Sequence, residues 1–106
     1  MNKTIKTSGG ITVRFIEAIN GFRTKFGYWP DRVEADADTI AFLATVSFTP
    51  LGFFLVQSKL DVVVCASGKM LAKGHSGDVF DYGREGWQST DAHQHDARPW
   101  LGLDED

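Results

Sequence analysis

Residues 11–26 read ITVRFIEAINGFRTKF. Ile11, Phe15, Ile19, Phe22 and Phe26 recur at steps of four, four, three and four. That spacing puts five apolar side chains on one stripe of a helix and leaves Arg14, Glu17, Arg23 and Lys25 to face water. Gly27 follows where a helix needs a left-handed closing residue, and Pro30 forbids continuation. The spacing predicts a helix over 11–26 whose stripe meets the core; the same stripe presented to a partner is the competing interpretation.

Downstream, two further start signals appear. Asp36 or Asp38 can cap a second helix by accepting from its unpaired backbone N–H groups. Its inner stripe would be Ile40, Leu43, Ala44 and Ser47, widened by Phe42 and Val46 so that more than one side is covered. Thr49-Pro50 starts a third helix, with Thr as cap and Pro in the first turn, where no N–H is needed. Leu51, Phe54, Leu55 and Ser58 would be its inner stripe, ending near Lys59, with Gly52 weakening it.

Strand signals surround these helices. A short strand is expected within Asp31–Asp36, around Val33 and Ala35. Leu60–Ala66 is β-branched and apolar on alternate and intervening positions, so it predicts a central strand covered on both faces. Lys69–Lys73 would pair with it as a hairpin. Gly74-His75-Ser76-Gly77 is turn chemistry, and Asp78–Tyr82 is a further short strand. After Gly83 the periodicity stops. The expected fold is α+β: three N-terminal helices packed on a small, mostly antiparallel sheet of three to four strands. Residues 1–10 would be a flexible arm, 11–83 the single domain, and 84–106 an irregular acidic tail packing through Trp87 and Trp100.

The chain has 106 residues, 42% of them hydrophobic and 24% charged. That mixture fits one globular domain and excludes collagen-like or low-complexity sequence. One cysteine, Cys65, excludes an internal disulfide and a cysteine-rich zinc site, and points to a reducing, cytoplasmic setting. The N-terminal sequence lacks an apolar signal core. No apolar run approaches the roughly 20 residues needed to cross a bilayer.

Charge is unevenly distributed. Residues 1–77 hold nine Lys/Arg and six Asp/Glu, a net of +3; residues 78–106 hold two and eight, a net of −6, and together they give the −3 of the chain. An acidic third suits a basic partner surface, or simply aids solubility. Direct nucleic-acid binding is disfavoured, because phosphates need Lys and Arg.

Four groupings bear on chemistry. Asp91, His93, His95 and Asp96 place two imidazoles at i and i+2 between carboxylates, a donor set for a transition metal if the segment is extended; His75 and Asp78 would add ligands. The alternative is a polar loop. His75, Ser76 and Asp78 crowd one turn, where neighbouring side chains point apart, so they make no triad. No serine lies in Gly-x-Ser-x-Gly, and Cys65 within an apolar strand reads as packing. Ser8-Gly9-Gly10 precedes a helix but lacks both phosphate-loop patterns, and no cofactor is expected. Lastly, Asp78, Asp81, Tyr82, Arg84, Glu85 and Trp87 fall within ten residues, with Trp100, Asp104, Glu105 and Asp106 beyond. Aromatic anchors ringed by charge are what protein interfaces use.

The sequence therefore predicts a non-enzymatic protein-binding module, monomeric or homodimeric, that acts by stoichiometric occupation of a partner with a basic surface. A phage or mobile-element inhibitor of host defence (of the anti-CRISPR kind), or an antitoxin or immunity protein, fits that expectation. The alternative is a small metal-binding protein or metal-dependent hydrolase using His93 and His95.

Overall fold

The stripe on residues 11–26 folds as its spacing requires. In the computed structural model, which describes residues 4–7, 9–66, 68–85 and 97–103, helix α1 runs Ile11–Phe26. Phe15, Ile19 and Phe22 are fully buried, and Ile11 and Phe26 pack half-buried against the same core. Gly27 closes the helix at φ 82°, donating its N–H to the Arg23 carbonyl. Each fully buried Phe or Ile contributes roughly 1.5–3 kcal/mol by leaving water, so this stripe anchors the domain.

Strand β1 follows at Arg32–Ala35. Asp36 then caps α2, Ala37–Phe42, its carboxylate accepting from Thr39 N–H at 2.7 Å. The helix continues into a wide π turn, Leu43–Ser47, closed by the Phe48 N–H bonding to the Leu43 carbonyl. Thr49 caps α3, Pro50–Lys59, by accepting from Gly52 N–H at 3.1 Å. Strand β2, Asp61–Val64, runs parallel to β1, so α2 and α3 form the crossover between them. β3 (Leu71–Lys73) and β4 (Val79–Asp81) complete a mixed sheet in the order β2-β1-β3-β4. Both β1–β3 and β3–β4 are antiparallel.

Strand alternation divides the sheet into two faces. Val62, Val33, Ala72 and Phe80 stand in one cross-strand row. The last three are buried in the core beneath the helices, and Val62 packs half-buried against it. Arg32, Glu34, Leu71, Lys73, Val79 and Asp81 point the other way. Gly21 lets α1 approach β4 closely, since a Cβ there would lie 2.3 Å from the Phe80 ring. Gly52 does the same for the N-terminal segment, whose Thr4 carbonyl would sit 2.0 Å from such a Cβ.

Several expectations are corrected. The strand at 61–64 is an edge strand, not a central one: among the described residues its outer side has no neighbouring strand, and Val64 is 65% exposed. β3 pairs with β1 and β4 instead of forming a hairpin with β2. The parallel crossover makes this possible, because it leaves the opposite side of β1 free. In α3 the inward positions are Gly52 and Val56, while Leu51, Phe54 and Ser58 face water. The close Thr4–Gly52 contact sets that rotation.

The helices are not all N-terminal. α4 (Tyr82–Glu85) and α5 (Ala97–Leu101) follow the strands. Regular structure thus resumes inside the expected irregular tail. Asn20, buried in α1, accepts from the Ala97 N–H at 2.7 Å, and Leu101 and Leu103 enter the core. Residues 4–6 also pack against the fold. Thr4 is buried, Ile5 bridges Phe48, and Lys6 N–H donates to the Ser47 carbonyl at 2.8 Å.

Candidate functional site

The outer sheet face near β4 is where the C-terminal half of the sheet, the end of α1 and α4 meet. Strand alternation sends Leu71, Val79 and Asp81 to this face, and the tight turn from β4 into α4 adds Arg84 and Glu85. Lys25 arrives from the last turn of α1. Together with Lys69 they line an open groove of about 660 Å³. A second cleft of about 300 Å³ adjoins it, sharing Lys69 and Asp81 and reaching Tyr82, Arg14 and Asp36.

Three of the nominated residues, Asp81, Tyr82 and Glu85, therefore converge on one surface. Their charge is largely engaged within the chain. Glu85 pairs with Lys25, and that hydrogen bond holds its carboxyl below the ordinary range, against the opposing effect of burial. Asp81 lies 3.8 Å from Lys69. Burial pushes the Tyr82 phenol up, and the neighbouring Glu17 carboxylate adds to this; the phenol donates to Glu17 at 3.5 Å. The Asp78 carboxylate accepts from the Tyr28 hydroxyl at 2.9 Å, so it buttresses the hairpin. Trp100 stacks on Trp29.

Further across the outer face, Glu34 is flanked by Lys73 at 3.0 Å and Arg32 at 3.4 Å. The hydrogen bond from Lys73 lowers its pKa most, with burial opposing and Arg32 assisting. His75 is exposed in the β3–β4 turn, 3.8 Å from Asp31 and packed against Tyr28. The turn itself forms as expected, with Gly77 N–H donating to the Gly74 carbonyl. Cys65 is half-buried at the end of the edge strand, its thiol 3.5 Å from the Lys69 carbonyl.

No family model, curated protein or solved structure matches this chain. Its own geometry is the guide to what it does. Among the described residues no three His, Cys, Asp or Glu side chains gather as a metal site. His93 and His95, with Asp91 and Asp96, lie outside the described residues, as do Trp87, Asp104, Glu105 and Asp106. Among the described residues no helix is long and apolar enough to cross a membrane.

Sequence reasoning missed two of the cations. Lys25 and Lys69 meet the acids only through pairings such as residue 25 with residue 85, which no local spacing announces. Their presence changes the electrostatics. The described residues hold ten Lys/Arg and nine Asp/Glu, a net of +1. The remaining residues hold Lys3 and five acids, a net of −4. The acidity of the chain thus belongs to Asp91, Asp96 and residues 104–106, while the groove is balanced.

Proposed function

We propose that this chain is a small protein-binding module that acts by stoichiometric occupation of a partner, with the groove beside β4 as its seat. The observation that carries the proposal is the groove's make-up: an apolar strip, Leu71 and Val79, bordered by the Lys25–Glu85 and Lys69–Asp81 pairs and by Arg84. Exposed ion pairs are weak, about 0–1 kcal/mol, so a partner's Lys or Arg can displace Lys25 and Lys69 at little cost. The net −4 outside the described residues would steer a basic protein toward the chain. The partner proposed is a protein with a basic surface, in a reducing compartment such as the cytoplasm. An inhibitor of host defence carried by a phage or mobile element, or an antitoxin or immunity protein, is the setting we attach to it on size and charge alone.

The test compares wild type with two charge-reversed chains, Asp81→Lys/Glu85→Lys and a triple Lys variant at Asp104, Glu105 and Asp106. Partners captured from the native host are identified by mass spectrometry, purified, and titrated at two salt concentrations. The expected result is weaker, less salt-dependent binding for both variants, with circular dichroism unchanged. Equal affinity for all three chains would overturn the proposal.

A further inference from the structure

Strand β1 ends at Ala35, where the sheet changes from parallel pairing with β2 to antiparallel pairing with β3. Open sheets with helical crossovers hold small ligands outside the carboxyl ends of strands, at such a change of connection. The cleft of about 300 Å³ opens there. Arg14 reaches it from the first turn of α1, Asp36 from the join of β1 and α2, Met70 from just ahead of β3, and Tyr82 from the turn between β4 and α4. Its volume lies at the small end for ligand pockets, which run roughly 300–1,000 Å³. Both signs of charge line it. Lys69 and Asp81 are 3.8 Å apart and offset each other. Arg14 and Asp36 do not: among the described residues neither enters an ion pair, with the other or with a third group. Asp36 is nevertheless fixed, because its carboxylate accepts the Thr39 N–H at 2.7 Å. A carboxylate offers about four acceptor positions, so capacity remains.

We infer that this cleft binds a small α-amino acid with an aliphatic side chain. A ligand carrying both charges answers the two unmatched groups at once. The Arg14 guanidinium takes the carboxylate, for which its planar fork is suited. The Asp36 carboxylate takes the ammonium group. Ile11, Ala35 and Met70 supply apolar surface for the side chain. Ligands of a single sign fit less well. A phosphate on Arg14 would meet the Asp36 and Asp81 carboxylates, and an amine without a carboxylate would be repelled by Arg14. Arg14 and Asp36 line this cleft and not the groove proposed for a protein partner, so the two proposals stand or fall separately.

Titration of the full chain, followed by its amide NMR signals, tests this. The probes are L-leucine, L-valine and L-methionine. Isocaproate and isoamylamine each keep the leucine side chain with only one of its charges, and inorganic phosphate serves as the anion control. At least one amino acid is expected to shift the amides of Arg14, Asp36, Thr39 and Met70. The single-charge analogues and phosphate are expected to bind at least about tenfold more weakly. Arg14→Gln and Asp36→Asn should each weaken binding about tenfold with an unchanged circular dichroism spectrum. Asn caps a helix about as well as Asp, so the second substitution removes the charge and keeps the fold. No shift from any of the amino acids at about 10 mM, equal binding of an analogue or of phosphate, or unaltered affinity in either variant would overturn the inference.

Discussion

The indole rings of Trp29 and Trp100 are stacked, with centroids 4.6 Å apart and planes 8° from parallel. Trp29 follows α1 and Trp100 belongs to α5, so the stack joins the two ends of the fold. The Arg23 guanidinium lies over the Trp29 ring, 5.5 Å from its centre. Stacked aromatic pairs add roughly 0.5–1.5 kcal/mol beyond the area they bury. Trp100→Ala should therefore lower unfolding stability by about 2–3 kcal/mol, nearer the lower end for truncating a large aromatic because Trp100 is half-buried. Guanidinium titration measures the loss, and the far-UV exciton signal of coupled indoles should vanish with it. A persisting exciton signal would mean that the rings do not stack.

Asn20 holds the C-terminal helix by one hydrogen bond. Its side-chain oxygen accepts from Ala97 N–H in a buried setting. Asn20→Leu keeps the branching and the number of heavy atoms but leaves that donor unpaired, at a cost of about 1–3 kcal/mol. The damage should be local first. Amide exchange at residues 97–103 should accelerate well before exchange in β1, and equal acceleration throughout would show that α5 has no separate opening.

The fold was legible where one signal needed only near neighbours. The α1 stripe, the Gly27 stop, the Asp36 and Thr49 caps and the Gly74–Gly77 turn all depend on residues within one or two helical turns. The order of the strands was not, because Leu60–Ala66 is equally apolar whether central or at an edge; the parallel crossover from β1 decides its place. α5 was missed for a related reason. Ala97–Leu101 is too short to show a period, and its anchor is Asn20, 77 residues away. At the candidate site Asp81, Tyr82 and Glu85 were visible as a local cluster. Lys25 and Lys69, which cancel much of its charge, were not.

Gly21 tests how closely α1 and β4 approach. Ala is the better helix former by about 1 kcal/mol, so a free helix would gain from Gly21→Ala. Here the added methyl would enter the Phe80 ring. The substitution should instead destabilise by about 1–3 kcal/mol, the range for overpacking a tight core. In a Phe80→Ala background the same change should become neutral or favourable. Equal effects of Gly21→Ala in both backgrounds would rule out the contact as the cause.

Three carboxylates among the described residues are held below their ordinary range in the folded chain. Glu34 is held low chiefly by the hydrogen bond from Lys73, Glu85 by that from Lys25, and Asp36 by the backbone N–H of Thr39. A group with a lowered pKa in the folded state stays ionised there after its unfolded counterpart has taken a proton. Its contribution is complete above the ordinary carboxylate range and disappears as pH falls through the folded-state values. Stability should accordingly be flat through neutrality and decline below about pH 5. Glu34→Gln isolates one part of this, because the amide is neutral at every pH. The variant should be less stable than wild type at neutral pH and converge on it as pH falls through the folded-state value of Glu34, where the carboxylate takes up its proton. Urea midpoints measured across that interval check the sign, and a gap that stays constant would show that Glu34 does not titrate with folding.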